Sequence, residues 1–171
     1  VAPVANTQVI EHLKLTYELA PGWEVDPSVV SVDPAKGGLL LRLQPRDRIA
    51  GSPKLEIRLD PLRVKPVTLD AFVQETIGSL RNIEQTGGAK TVGLENTPTQ
   101  LLGLPAVRLD HQYTIGTDLA QLSVSQSTWV TMIDGRATVF SVSGRTELTT
   151  PRMVEIESLL GSLAKQSTGE S

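Results

Sequence analysis

The sequence predicts an α+β domain built on an antiparallel sheet. Three observations predict it. Stretches of strict period-two alternation come in runs, two stretches with a helical period stand apart from them, and nothing alternates strand with helix as a parallel sheet requires. The chain has 171 residues, a length that favours one domain with a core large enough to fold without metals or crosslinks.

The first ten residues, VAPVANTQVI, open small and polar and carry no pattern, so 1–10 is expected to be a flexible tether. A removed signal or lipidation segment would leave such a start. The single folded domain is expected over 11–165, and QSTGES (166–171) reads as a disordered tail. In HLKLTYEL, Leu13, Leu15, Tyr17 and Leu19 share one face while His12, Lys14, Thr16 and Glu18 share the other. That is a half-buried strand. It ends at Pro21-Gly22, with Trp23 next, either a platform for a ligand or a plug at one end of the domain.

A turn cluster at 33–38 precedes the strand LLLRLQ, and the polar loop PRDRIAGSP leads to KLEIRLDPL, where Leu55, Ile57 and Leu59 alternate with charges. The period then changes. Leu69, Phe72, Val73, Thr76, Ile77, Leu80 and Ile83 form a helical stripe over 69–85, with Thr68 as its cap and Gly87-Gly88 as its stop. Four strands follow: KTVGLENT, PAVRLDHQYT, LAQLSVSQSTWVTMI and RATVFSVSG. Asp134-Gly135 between the last two is the sharpest local signal, because a two-residue hairpin needs positive φ at both positions. A second helix is expected over 151–164, capped by Thr150, with Pro151 first and a stripe of Met153, Ile156, Leu160 and Leu163. One antiparallel sheet should therefore hold 13–19, 55–59, 106–114, 119–133 and 136–143.

Composition excludes several functions. Sixteen Lys and Arg stand against nineteen acids, with no run of five like charges, which argues against nucleic acid as the main partner. The absence of cysteine excludes disulfides, thiolate metal sites and a cysteine nucleophile. No apolar run has the length of a membrane span. The common nucleophile-elbow and phosphate-loop motifs are missing, and no motif implies a cofactor. Ser162-Leu163-Ala164-Lys165 fits S-x-x-K, but its companion motifs are absent and the match reads as chance.

Five side chains merit separate weighing. His12 lies on the polar face of its strand. His111 shares a face with Val107, Leu109 and Tyr113, so a buried, hydrogen-bonded structural role is expected; the competing role is a transition-metal ligand with carboxylates from other strands. Arg46 and Arg48 flank Asp47 on a loop and are candidate binding residues, against the plain alternative of a solvated loop. Trp129 follows Ser123, Ser125 and Ser127 on one face. It is a contact residue if that face is open and a packed one if a helix overlies it.

The order of these segments resembles the PsbP-like superfamily. YELAPGW, TLDAFVQETIGSL, TQLLGLPAVRLDHQYT and the closing SLLGSLA carry the resemblance, from about residue 13 to 164, with Pro21-Gly22-Trp23 and 102–106 as its best motifs. The superfamily includes photosystem PsbP proteins, Mog-type Ran-binding proteins and bacterial envelope lipoproteins of the LpqN and DcrB kind. The resemblance implies an α–β–α sandwich with a central antiparallel sheet and two main helices. It also implies a non-enzymatic extracytoplasmic role, with a protein partner in the cell envelope or on a membrane surface. The lipoprotein branch fits best, since segments tied to photosystem binding are absent. No lipidation cysteine, metal ligand or Ran-binding residue carries over, because none matches position by position. Trp23 is then expected to close one end of the sheet. The alternative function is a carrier of a small apolar ligand in a pocket between helix and sheet.

Overall fold

The computed structural model describes residues 6–30 and 32–167. In chain order the strands are β1 (Thr7–Ile10), β2 (Leu15–Glu18), β3 (Trp23–Val25), β4 (Gly38–Pro45), β5 (Lys54–Leu59), β6 (Ala89–Leu101), β7 (Leu104–Thr117), β8 (Ala120–Ile133), β9 (Arg136–Arg145) and β10 (Ala164–Lys165). Helix α1 (Leu69–Arg81) precedes β6; α2 (Thr146–Thr149) and α3 (Met153–Gly161) follow β9. Seven strands form one sheet in the order β3-β4-β5-β9-β8-β7-β6, and every pairing is antiparallel.

The register sorts side chains onto two faces. Val130 pairs with Val107 and Val139, and this face, with Leu109, packs under Val73 and Ile77 of α1. Trp129 pairs with Phe140, which pairs with Ile57, and these point to the other face. There they meet Ile156, Leu159 and Leu160 of α3 together with Leu13, Leu15 and Tyr17. The sheet thus lies between helices, an α+β fold with α–β–α layers. Burial also pushes the Tyr17 phenol up to about 12, because the phenolate is the form that burial penalises.

Three expectations need correction. Residues 13–19 do not join the main sheet. Glu11–Leu13 is a 3₁₀ turn, Lys14 takes a left-handed φ of 51°, and β2 pairs with β1 and β10 in a separate three-stranded sheet. Alternation reports a buried face but does not name a strand's neighbours. The 1–10 tether is the second. Thr7–Ile10 is a strand with Ile10 buried against the core, although its short sequence carries no period; residues 1–5 lie outside the described residues. The tail is the third, at its start. Gln166 donates its backbone N–H to Lys14 O at 2.8 Å, while 168–171 lie outside the described residues.

Helix ends differ in how they were legible. Thr68 Oγ1 accepts from Ala71 N at 3.2 Å, as a cap should. Thr150 caps nothing: Thr150–Arg152 is a 3₁₀ turn between α2 and α3, and the helical path already begins at Thr146. Pro98 sits within β6 because β6 is an edge strand, where a missing N–H costs no ladder bond.

Asp134 and Gly135 have φ of 50° and 75°, the mirror-image turn expected between β8 and β9. A Cβ at Gly135 would meet nothing within 4 Å, so only backbone strain opposes a larger side chain there. Gly135→Val is expected to lower stability by about 1–2 kcal/mol, read as a shift in the urea midpoint. A midpoint equal to the parent's would refute the turn's contribution.

Candidate functional site

Two clefts flank α3. The first has a volume of about 640 Å³ and lies between α3, the end of β2 and the turn into β3. The Pro21-Gly22 turn makes it. Gly22 has a φ of 80°, Trp23 N–H donates to Ala20 O at 3.1 Å, and Gly22 O accepts from Arg46 N–H at 2.8 Å. That last bond ties the loop after β4 to the turn and sets Arg46 beside Trp23. The floor is Trp23, Leu19 and Leu159; the wall from α3 is Val154, Glu155 and Ser158.

The polar groups around this cleft are mostly engaged. Trp23 Nε1 donates to a Glu155 carboxylate oxygen. Arg152 donates to both Asp47 oxygens, at 2.9 and 3.0 Å, and lies 3.6 Å from Glu155. Arg48 is paired with Glu24 at 2.6 Å, and it is not among the residues that line the cleft. Arg46 is exposed and lines the cleft, and it has no acidic partner among the described residues.

The second cleft, about 610 Å³, lies between α3 and the β6–β7 hairpin and reaches down to Trp129. Trp129 is not an exposed contact residue. It is 4% exposed, and the Arg108 guanidinium lies 4.9 Å above its ring. Arg108 is fixed in turn by Glu157 at 2.9 Å and Asp110 at 3.0 Å. The face bearing the serine run is the one α3 overlies, which the strand's own sequence does not disclose. Ser162 has a structural task as well: its hydroxyl accepts from Glu18 N–H at 2.8 Å and donates to Leu159 O.

His111 is 1% exposed, lies 3.0 Å from the Thr91 hydroxyl through Nε2, and tilts against the Tyr113 ring at 5.0 Å. Thr91 N–H donates to Glu84 at 3.0 Å. Among the described residues no group of three or more His, Asp or Glu side chains is placed to hold a metal ion. Burial lowers the His111 pKa, and the charge of Glu84 opposes this more weakly. The folded pKa is therefore below the unfolded one, and the neutral ring's contribution is present above the unfolded pKa of about 6.5. It declines as pH falls from there towards the lower folded pKa. Urea midpoints measured between pH 7.5 and 5 should fall more in the parent than in His111→Gln. Equal slopes would refute the assignment.

The cleft residues of α3 escaped the sequence reading. Val154 is exposed and off the buried stripe, which is the one local trace of the cleft that the sequence carries. Trp23 and Arg46 were visible as types, but their closeness depends on the Gly22–Arg46 backbone bond.

No protein-family model matches the chain, and no curated protein matches it. Solved structures do. LpqN of Mycobacterium tuberculosis, described as involved in cell envelope biogenesis, superposes with a TM-score of 0.59 at 15% identity, over 88% of this chain and 82% of LpqN. The cyanobacterial PsbP (CyanoP) of Synechocystis superposes with 0.58 at 16% identity, over 95% and 94%. The Saccharomyces cerevisiae Ran-binding protein Mog1p superposes with 0.55 at 12% identity, over 96% and 98%. The chain has the PsbP/Mog1-type fold. At these identities the likeness is one of fold.

Proposed function

We propose that this is a non-catalytic binding or assembly protein of an extracytoplasmic compartment, working in the cell envelope or at a membrane surface, and that it holds a protein partner in the cleft beside α3. The cleft carries the reading. It combines an apolar floor with an uncommitted cation, Arg46, on a rigid frame of sheet and helix. A few polar groups around an apolar surface are what binding sites present. Among the neighbours in fold, LpqN, described as involved in cell envelope biogenesis, supports the setting, and Mog1p, described as Ran-binding, supports a binding partner.

The test is site-specific photo-crosslinking in cells expressing the full-length gene product. A benzophenone side chain at Val154, on the cleft wall, should give a discrete heavier adduct. The same group at exposed Lys36 serves as the control position. Fractionation of the same cells should place the protein outside the cytoplasm. Absence of an adduct at 154, or equal adducts at both positions, would defeat the cleft as the partner site.

A further inference from the structure

We infer that the occupant of the cleft is an extended peptide segment of the partner, which lays an apolar side chain between Leu19 and Val154, over the floor that Trp23 closes, and sets a carboxylate on Arg46. The inference rests on the partner-binding reading above.

The carboxylate follows from which charges are already answered. Glu18 accepts from the Thr7 hydroxyl at 2.7 Å, Glu155 accepts from the Trp23 indole, and Asp47 takes two hydrogen bonds from Arg152. At the same end of the molecule Arg48 is paired with Glu24, and Arg145 with Glu147. Arg46 is the cleft's one cation, and of its charged side chains the one with no hydrogen bond or ion pair among the described residues, while its backbone N–H is pinned to Gly22 O. A guanidinium offers a planar fork of donors that fits a carboxylate with two parallel bonds.

The extended peptide follows from the strand beside the cleft. β3 is the terminal strand of the seven-stranded sheet and, among the described residues, pairs only with β4. Asp26 N–H bonds to Arg42 O of β4, and Gly22 O to the N–H of Arg46, the residue that follows β4. In an antiparallel ladder these positions alternate with residues whose backbone groups face outward. Val25, between two inward-facing residues, therefore turns its N–H and C=O away from β4, as does the Trp23 carbonyl. Trp23 lines the cleft, so a chain added along this edge would place alternate side chains over the cleft floor. A lipid acid could use Arg46 and the apolar floor, but it has no backbone groups for the edge.

The test selects random heptapeptides displayed on phage against the immobilised full chain and against its Arg46→Gln variant. The parent should enrich peptides with an aliphatic or aromatic residue within two positions of Asp or Glu. Arg46→Gln should lose the acid preference and keep the apolar one. A synthetic peptide from the parent selection should bind about tenfold or more weakly to Arg46→Gln, and the parent should lose the same factor when the peptide's acid becomes an amide. Equal melting temperatures of parent and variant establish that the fold is intact. No enrichment, or an acid preference that persists without Arg46, would overturn the inference. So would decanoate binding as tightly as the peptide with the same dependence on Arg46, since the occupant would then be an acyl chain. A Val154 adduct alongside any of these failures leaves the partner site standing and removes only the peptide and its carboxylate.

Discussion

Trp129→Ala is expected to lower the stability of the folded chain by about 3–5 kcal/mol, the range for deleting a large buried aromatic ring. The ring sits between the sheet and α3, in the cluster that holds Phe140, Ile57, Ile156 and Leu160. Its removal leaves a void that packed neighbours fill only partly. It also removes the surface on which Arg108 rests, though Arg108 keeps Asp110 and Glu157. Trp129→Phe should cost much less, because most of the apolar area stays. Urea denaturation of the two variants measures this directly. If Trp129→Ala unfolded at the parent's midpoint, the residue would not be core. Trp129→Phe should also leave selection of peptides in the first cleft unchanged, since Trp129 lines the second. A changed peptide preference would reinstate it as a contact residue.

The contrast between Trp129 and His111 shows what the sequence can disclose. Both were placed on a strand face by counting in twos, and the parity holds for each: His111 pairs with Gln126, and Trp129 with Phe140. For His111 the neighbours on its own strand, Val107 and Leu109, already made that face apolar, so burial could be read locally. For Trp129 the strand neighbours are serines, and the cover comes from a helix some 25 to 30 residues further on. Local pattern also sufficed for the Asp134-Gly135 turn, for α1 with its Thr68 cap, and for the presence of β7, β8 and β9. It failed where an element is too short to show a period. β1, β3 and β10 have four, three and two residues, and each is held by the edge of a neighbouring strand, β2 for β1 and β10 and β4 for β3. The first cleft lies among these short pieces. Its residues come from four segments, so no single window of the sequence contains its shape.

Trp23→Ala should be as damaging, about 3–5 kcal/mol, and for a reason that answers whether the residue is plug or platform. The ring is 2% exposed and packs in the same cluster as Leu159 and Leu43, so its apolar area closes the β3 end of the sheet. Its one donor is consumed by Glu155. A platform for stacking would show its ring face to solvent, and this one does not. Yet the turn that buries it also makes it part of the cleft floor, and that is why stability and binding should separate under substitution. Trp23→Phe keeps most of the buried area and loses the indole donor. Glu155 is partly exposed and can turn to water, so the expected cost is about 1 kcal/mol. Peptide selected on the parent should then bind Trp23→Phe with its acid preference intact, because Arg46 is set by Gly22 O and not by the ring. Trp23→Ala, assayed well below its lowered melting temperature, should lose the apolar preference first. A parent-like urea midpoint for Trp23→Ala would show that the ring does not close the sheet. Loss of the acid preference in Trp23→Phe would show that the ring, and not the Gly22–Arg46 bond, positions the cation.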